Sequence, residues 1–292
     1  MHQDTRNCWR IASGGHLNPI LEGFADSVHR GGLPTRLYRY RPIPENLTER
    51  LEQEVIRGEV WLSPLARLND LEEGAVDVRL RGLDQDLIAF LAQDAKADVA
   101  EIERRVQLVC AADGVLPDAK ERSLLEAISR LTHVACFTTN PVEALMWSHY
   151  AIRGTDRKPH AGLCIEYAVD ESARWTGIQP VAYTDLRPRI DYLAARRDPT
   201  LMRHALLTKS SPWRYEKEWR IVAFSDEVAG AFGAKVLAAP SGAVSSIILG
   251  LAVDPHVEAV VRHITRGAKH SIQLQRIVRS RDHYGLSIVE VE

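Results

Sequence analysis

The run Tyr215-Glu216-Lys217-Glu218-Trp219-Arg220 sets two carboxylates and a guanidinium close together between aromatic residues. From Trp213 onward aromatic and β-branched residues alternate with charged ones, and Pro212 stands at the entrance, so the stretch is predicted to be a strand. Period two then places Trp213, Tyr215, Trp219 and Ile221 on one face, and Arg214, Glu216, Glu218 and Arg220 on the other. A solvated strand face carries such residues, with ion pairs of little energetic weight. A cleft in which arginines hold a carboxylate carries them for chemistry. Both readings stand on this stretch alone.

Leu37-Tyr38-Arg39-Tyr40-Arg41 poses the same question. Alternation points Tyr38 and Tyr40 one way and Arg39 and Arg41 the other. On an interior strand each guanidinium needs an anionic partner; on an edge strand both are solvated. Leu145-Met146-Trp147-Ser148-His149-Tyr150 reads as helix, with Leu145 four residues before His149 and Met146 four before Tyr150. No H-E-x-x-H pattern and no Cys/His cluster accompanies His149, so no metal is assigned. Walker A, G-x-G-x-x-G after a strand and G-x-S-x-G are also missing, which argues against phosphate-loop and hydrolase-elbow chemistry.

The elements that must position these residues follow in chain order. Residues 1–35 read as a leader followed by a peripheral helix opened by Asn18-Pro19. After the strand at Leu37, Pro44 to Gly58 is helical, with Leu47, Leu51 and Val55 in register. Val60 to Ser63 is a short strand. Asp70 followed by Glu73 has the spacing of a capping box at a helix start. Residues 71–131 are mainly helical and charged, with apolar stripes at Leu87, Ile88 and Leu91 and at Ile102, Val106 and Val109. They are expected to be an insertion into a single domain spanning 36–292. His133 to Thr139, Gly162 to Val169 and Pro180 to Thr184 are strands, and 189–207 is helical. Further strands fall at Val236, Ser246 to Leu249, Gln273 to Val278 and Leu286 to Val291, with a helix after Asp254-Pro255. Strands and helices without a βαβ rhythm predict an α+β fold.

Composition sets the outer limits. The 292 residues are 45% hydrophobic and 26% charged, which suits a globular chain with a real core. A net charge of −2 gives no bulk electrostatic case for nucleic acid or membrane. Four scattered cysteines, without C-x-x-C, favour a reducing, cytoplasmic location. The N-terminal stretch has no apolar signal region, and no segment reaches transmembrane length.

Several stretches agree with one family. Leu37-Tyr38-Arg39-Tyr40, Trp61-Leu62-Ser63 with Asn69-Asp70, Leu145 to Ala151, and Lys209 to Arg220 resemble, in order and spacing, the domain-of-unknown-function family 2971. The resemblance runs from about residue 36 to the C-terminus. More distantly, the chain is similar to ADP-ribosyltransferases, which place a basic residue on an early strand, a serine on a second, and a glutamate late. Arg39 or Arg41, then Ser63, then Glu216 or Glu218 follow that order, and Glu-x-Glu looks like the pair in arginine-modifying transferases. The chain departs from their S-T-S triplet: Pro64 follows Ser63, and Thr138-Thr139 lies far downstream.

The resemblance implies a mixed, mainly antiparallel sheet like the ADP-ribosyltransferase core, and NAD as substrate. Glu218, Glu216 and Ser63 would then be catalytic. Arg39 and Arg41 would clamp the diphosphate, and Tyr40, Trp147, His149, Tyr150, Lys209 and Arg220 would complete the NAD site. ADP-ribose would pass to a macromolecular target, protein or nucleic acid, or to water. Two other classes stay open. One is a metal-dependent nucleotide- or RNA-directed hydrolase using His149, Glu166 and Lys209. The other is a non-enzymatic interaction module whose charged residues form a structural network.

Overall fold

β-Branched and aromatic runs become strands here wherever a neighbouring strand takes up their backbone groups, and proline and polar caps set most of the breaks. The computed structural model describes residues 32–80, 89, 99–111, 114–115, 118–154, 156–169, 177–224, 235–240 and 242–291. The predicted helix after Asn18 and the stripe at Leu87, Ile88 and Leu91 lie outside the described residues. In chain order, β1 (Arg36–Arg41) leads to α1 (Leu47–Leu51), which continues as a π-helical turn (Glu52–Ile56) into β2 (Glu59–Pro64). β3 (Asp77–Arg79), α2 (Val99–Ala111), α3 (Asp118–Leu131), β4 (Thr132–Thr138), α4 (Ala144–His149) and β5 (Leu163–Ala168) follow. Next come β6 (Ile178–Pro180), β7 (Ala182–Thr184), β8 (Arg189–Asp191), α5 (Tyr192–Arg197), α6 (Pro199–Ala205) and β9 (Thr208–Ser210). A 3-10 turn (Ser211–Glu216) precedes β10 (Glu218–Phe224), β11 (Lys235–Ala238) and β12 (Val244–Leu249). α7 (Pro255–Arg266), β13 (Gln273–Arg279) and β14 (Leu286–Glu290) close the chain.

The fold is α+β with a mainly antiparallel sheet. Contacts divide the described chain into two units. One comprises Gly31–Pro64, His133–Val181 and Pro212–Glu292; the other holds Leu65–Thr132 and Ala182–Ser211. The first contains the large sheet, in the order β11-β2-β4-β1-β5-β12-β13-β14, with β10 pairing β4 and β6. β1 runs antiparallel to β5 from Arg36 opposite Ala168 to Arg41 opposite Leu163. β1 meets β4 through the pair Tyr38–Thr138.

One face of this sheet presents Leu37, Val60, Leu62, Ala135, Phe137, Ile165, Tyr167, Ile221 and Ile247 to α1, the π-helical turn and α7. Those helical segments contribute Leu47, Leu51, Val55, Val257, Val261 and Ile264 to the same core. The opposite face presents Tyr38, Tyr40, Cys164 and Ile248, and Met146 and Trp147 of α4 pack with them. Asp254 caps α7 by accepting from His256 N at 2.9 Å, with Pro255 in its first turn.

The expected helical insertion at 71–131 shares the second unit with Ala182–Ser211. The unit's two segments share one apolar cluster, with Val76, Val78, Leu80, Val106 and Val109 packed against Ile190, Leu193 and Ala205. β3 and β8 also pair in parallel, Asp77 opposite Arg189. The predicted helix 189–207 therefore begins as a strand. Its helical part starts only where Asp191 accepts from the N–H of Leu193 and Ala194. The expected capping box at Asp70 is instead a turn: Asp70 Oδ1 accepts from Glu72 N at 2.9 Å, and the chain bends at Gly74, φ 73°, into β3. Predicted strand 180–184 is divided too, since β6 pairs β10 while β7 pairs β9.

Asp77 links β3 to β8, accepting from Arg79 Nε at 2.6 Å and Arg189 Nε at 2.8 Å. Partial burial pushes its carboxyl up, but the hydrogen bonds from the two arginines outweigh this and hold it below the usual range. A depressed folded-state pKa stabilises the fold above the unfolded value of about 3.9 and loses that contribution as pH falls through the folded value. The stability gap between wild type and Asp77→Asn is therefore expected to be full at neutral pH and to close in acid. Thermal melts of both proteins from pH 7 downward check this; a gap independent of pH would refute it.

Candidate functional site

The sheet separates residues that the sequence placed together. β1 and β10 both pair with β4, so the parity of their side chains is fixed by one common strand. Trp219, Ile221 and Ala223 belong to the core that includes Leu37, Phe137 and Tyr167. Glu218 and Arg220, which alternate with them, point to the other face with Tyr38 and Tyr40. Arg39 and Arg41 share the parity of Leu37 and lie on the first face. The predicted pairing of these arginines with Glu218 is thus corrected: they cannot clamp a diphosphate against that carboxylate, because the sheet itself intervenes.

The arginines have an anionic partner, and it is Glu54. Its Oε1 lies 3.6 Å from Arg39 Nη1 and its Oε2 3.0 Å from Arg41 Nε. The Tyr167 hydroxyl donates to Glu54 Oε1. Glu54 is 2% exposed and Arg39 6%, so this is a charged group inside the core. Arg39 Nη2 also donates to the carbonyl of Trp61. That carbonyl needs a donor from elsewhere because β2 pairs with β4 only at Ser63 and Pro64. Burial, followed by the charge of Glu54, pushes the Tyr167 hydroxyl far above its ordinary pKa, so it remains a proton donor. The sequence carried a signal for Glu54: it sits three residues beyond Leu51 and beside Val55 on the inward stripe of its helix.

The opposite face gathers the carboxylates. The predicted continuous strand from Trp213 is broken. Pro212 lacks an N–H for a ladder, residues 211–216 wind into a 3-10 turn, and Lys217 takes φ 44° before β10 begins at Glu218. Trp213 and Tyr215 therefore do not share a strand face with Trp219 and Ile221. Tyr215 packs instead with Tyr150 against the Tyr38–Tyr40 cluster. The turn brings Glu216, 3% exposed, under α4, where the Tyr150 hydroxyl donates to its Oε1 at 2.5 Å. Glu218, 4% exposed, receives Arg220 Nε at 2.9 Å and Nη2 at 3.0 Å on its two oxygens. This is the forked geometry that fixes a carboxylate in plane.

Around these groups Tyr40 donates its hydroxyl to Asn140 O at 2.9 Å and meets Trp147 edge-on at 5.1 Å. Trp147 is fully enclosed, with its Nε1 bound to Pro141 O, so it acts as a packing pillar and not as an open stacking platform. Opposite Tyr38 on β5 stands Glu166, which lies 3.6 Å from Arg36 and accepts from Ser245 Oγ at 2.8 Å. Burial and then the Glu166 charge push the Tyr38 hydroxyl up to about 12. Ser63, opposite Val134, has the parity of Thr138 and so faces the same way. His149 is exposed at the end of α4. Lys209 belongs to the other unit, where its Nζ lies 3.8 Å from Glu73.

Among the described residues no group of three or more His, Cys, Asp or Glu is arranged to hold a metal ion, and no helix is long and apolar enough to cross a membrane. What the second face does offer is a pair of buried carboxylates, each oriented by a named donor, beside tyrosines kept protonated by burial. No family model, no curated protein and no solved structure matches the chain.

Proposed function

We propose that the face carrying Tyr38, Tyr40, Tyr150, Glu216, Glu218 and Arg220 is a nucleotide site of ADP-ribosyltransferase type, in a chain akin to the domain-of-unknown-function family 2971. It cleaves the nicotinamide–ribose bond of NAD. The observation that carries this reading is the Glu216-x-Glu218 pair held by Tyr150 and Arg220. In the reaction the ribose C1′–N bond breaks and its electron pair leaves with nicotinamide. The ribose becomes oxocarbenium-like. A preorganised carboxylate stabilises that charge without having to reorient. An acceptor oxygen or nitrogen, or water, then adds at C1′ and gives up its proton. Glu218, fixed by Arg220, is assigned to the anomeric charge, and Glu216, fixed by Tyr150, to the ribose hydroxyl or the acceptor proton. Ser63 faces the same side and completes the set. Arg39 and Arg41 take no part in it.

The test is incubation of purified protein with NAD, with and without cell lysate as acceptor source, following nicotinamide release. Release by wild type that falls at least about tenfold in Glu216→Gln, with the melting temperature kept, is the expected result. Wild type that releases no nicotinamide in either condition rules the reading out.

A second reading rests on a specific observation. Arg220 is completely buried and chelates both oxygens of Glu218. Such a pair also serves purely to hold β10 between β4 and β6 in an interaction module. The hydrolase alternative has less support, since Lys209 pairs with Glu73 and Glu166 is engaged by Arg36 and Ser245.

A further inference from the structure

The turn that carries Glu216 sorts its side chains by kind. From 212 to 218 both carboxylates are buried, while Arg214 and Lys217 are exposed. Glu216 is the sole acid between Asp198 and Glu218. Trp213 and Tyr215 are half-buried, with ring centroids 6.1 Å apart and planes inclined at 36°. Tyr215 packs on the Tyr38–Tyr40 cluster, whereas Trp213 belongs to none of the three apolar clusters of the described residues. Tryptophan is ordinarily well buried, and one at the surface outside any core presents a large apolar ring that a ligand can cover. α4 brings further rings to the same place. The Tyr150 hydroxyl donates to Glu216 at 2.5 Å, and the exposed His149 stands edge-on to Tyr150 at 6.3 Å. Glu143, the carboxylate of α4, sits at its opposite end, where it caps Leu145 N.

The backbone at Lys217 points the same way. Its φ of 44° lies in the left-handed region, which glycine adopts at little cost and lysine does not. Lys217 N donates to Arg214 O at 3.3 Å and closes the turn. The reversal leaves the Lys217 ammonium outside, between two buried glutamates, with no ion pair among the described residues. Solvent-reaching rings interleaved with exposed cations match a ligand that alternates planar bases with phosphates. A duplex hides its bases in the stack; a single strand offers them. The net charge of −2 supplies no bulk attraction, so affinity comes from this local pattern. We propose that residues 212–217 form a surface for single-stranded nucleic acid, with Trp213 and Tyr215 stacking on bases and Arg214 and Lys217 meeting phosphates. The turn holds Glu216 and leads directly into Glu218, so a bound strand lies beside the carboxylate pair. A single strand is then the macromolecular acceptor, a step that rests on the transferase reading above; binding itself does not.

Fluorescence anisotropy with a short fluorescein-labelled oligodeoxythymidylate, in the absence of NAD, tests the surface. Wild type is expected to bind saturably and more weakly as salt rises, because phosphate contacts release counterions. Trp213→Ala should weaken binding about tenfold or more through lost stacking, and Trp213→Phe should keep most of it. Lys217→Gly should weaken binding several-fold and flatten the salt dependence, yet melt no lower than wild type, because glycine is at ease at φ 44°. Lost fold cannot produce that combination. Annealed to oligodeoxyadenylate, the same strand should bind about tenfold more weakly or worse. Three results would overturn the proposal: no saturable binding by wild type, equal affinity for the duplex or for a labelled polyglutamate peptide, or affinity unchanged in both Trp213→Ala and Lys217→Gly. NAD labelled in its adenylate half then tests the acceptor step, with label expected on the oligonucleotide. Nicotinamide release without that label refutes the acceptor assignment. Oligonucleotide binding without nicotinamide release refutes the transferase reading and leaves the binding surface standing.

Discussion

Replacing Glu54 by alanine is expected to destabilise the protein by roughly 3–5 kcal/mol, the cost of leaving a buried charge without its partner. Three groups lose their acceptor together: Arg39, Arg41 and the Tyr167 hydroxyl. Arg39 cannot turn to water, since it is 6% exposed and its Nη2 is fixed on the Trp61 carbonyl. The guanidinium also cannot shed its proton, so the charge stays where the carboxylate was. Glu54→Gln should fall between wild type and alanine, because an amide oxygen still accepts from Tyr167 while the countercharge is gone.

A second pair of variants decides whether the loss is electrostatic or a matter of packing. Arg39→Met with Glu54→Met deletes the two fully buried charges and keeps volume, and leaves Arg41, whose side chain is 23% exposed, to turn to water. Buried pairs replaced in this way commonly lose little stability. The double variant should therefore be markedly more stable than Glu54→Ala alone. Urea unfolding in phosphate-free buffer, with the transition midpoints compared at unchanged slope, measures this. If the double variant is as unstable as Glu54→Ala, the charge argument fails and the residue matters for its contacts.

This network also shows what the amino-acid pattern could and could not reveal. Period two in Leu37 to Arg41 correctly predicts that Tyr38 and Tyr40 oppose Arg39 and Arg41, because alternation is a property of one strand. It also poses the right question, namely where the anionic partner of an interior arginine is. Glu54 answers it from the inward stripe of the next helix. Which strands share a face is a different matter. It depends on the register each strand takes against β4, and nothing local to Glu218 encodes that. The break at Pro212 to Lys217 was missed for a related reason. Trp213 and Tyr215 have strand propensity, yet Pro212 offers no N–H for a ladder, and the 3-10 turn that follows leaves Glu216 hydrogen-bonded by Tyr150 before β10 starts at Glu218. Likewise Arg189 to Asp191 lies inside a helix-like pattern. It becomes a strand because β3 offers a partner and Asp191 caps the helix that follows. The candidate site was legible as residue types; its assembly was set by tertiary pairing.

Glu218→Gln is expected to slow nicotinamide release about a hundredfold, near 3 kcal/mol of transition-state stabilisation for a preorganised charge. The same substitution removes the countercharge of Glu218 from Arg220, which is fully buried and directs two N–H groups at this carboxylate. A fall in stability is therefore expected alongside the fall in rate, and the two must be separated. The glutamine oxygen still accepts one of the two arginine donors, so the stability cost should be smaller than for Glu218→Ala. The rate cost should be nearly the same for both, since neither side chain carries charge. Rates measured well below the melting transition, for both variants, give the partition. A rate that tracks stability across Gln and Ala would mean that Glu218 only holds β10 in the sheet, and that the network reading is right. A rate equally low in both, with the glutamine protein still largely folded, would place the carboxylate at the ribose. Glu216→Gln supplies the internal control. The glutamine oxygen still accepts from the Tyr150 hydroxyl, and a large rate loss with little change in melting would tie the effect to chemistry on this face.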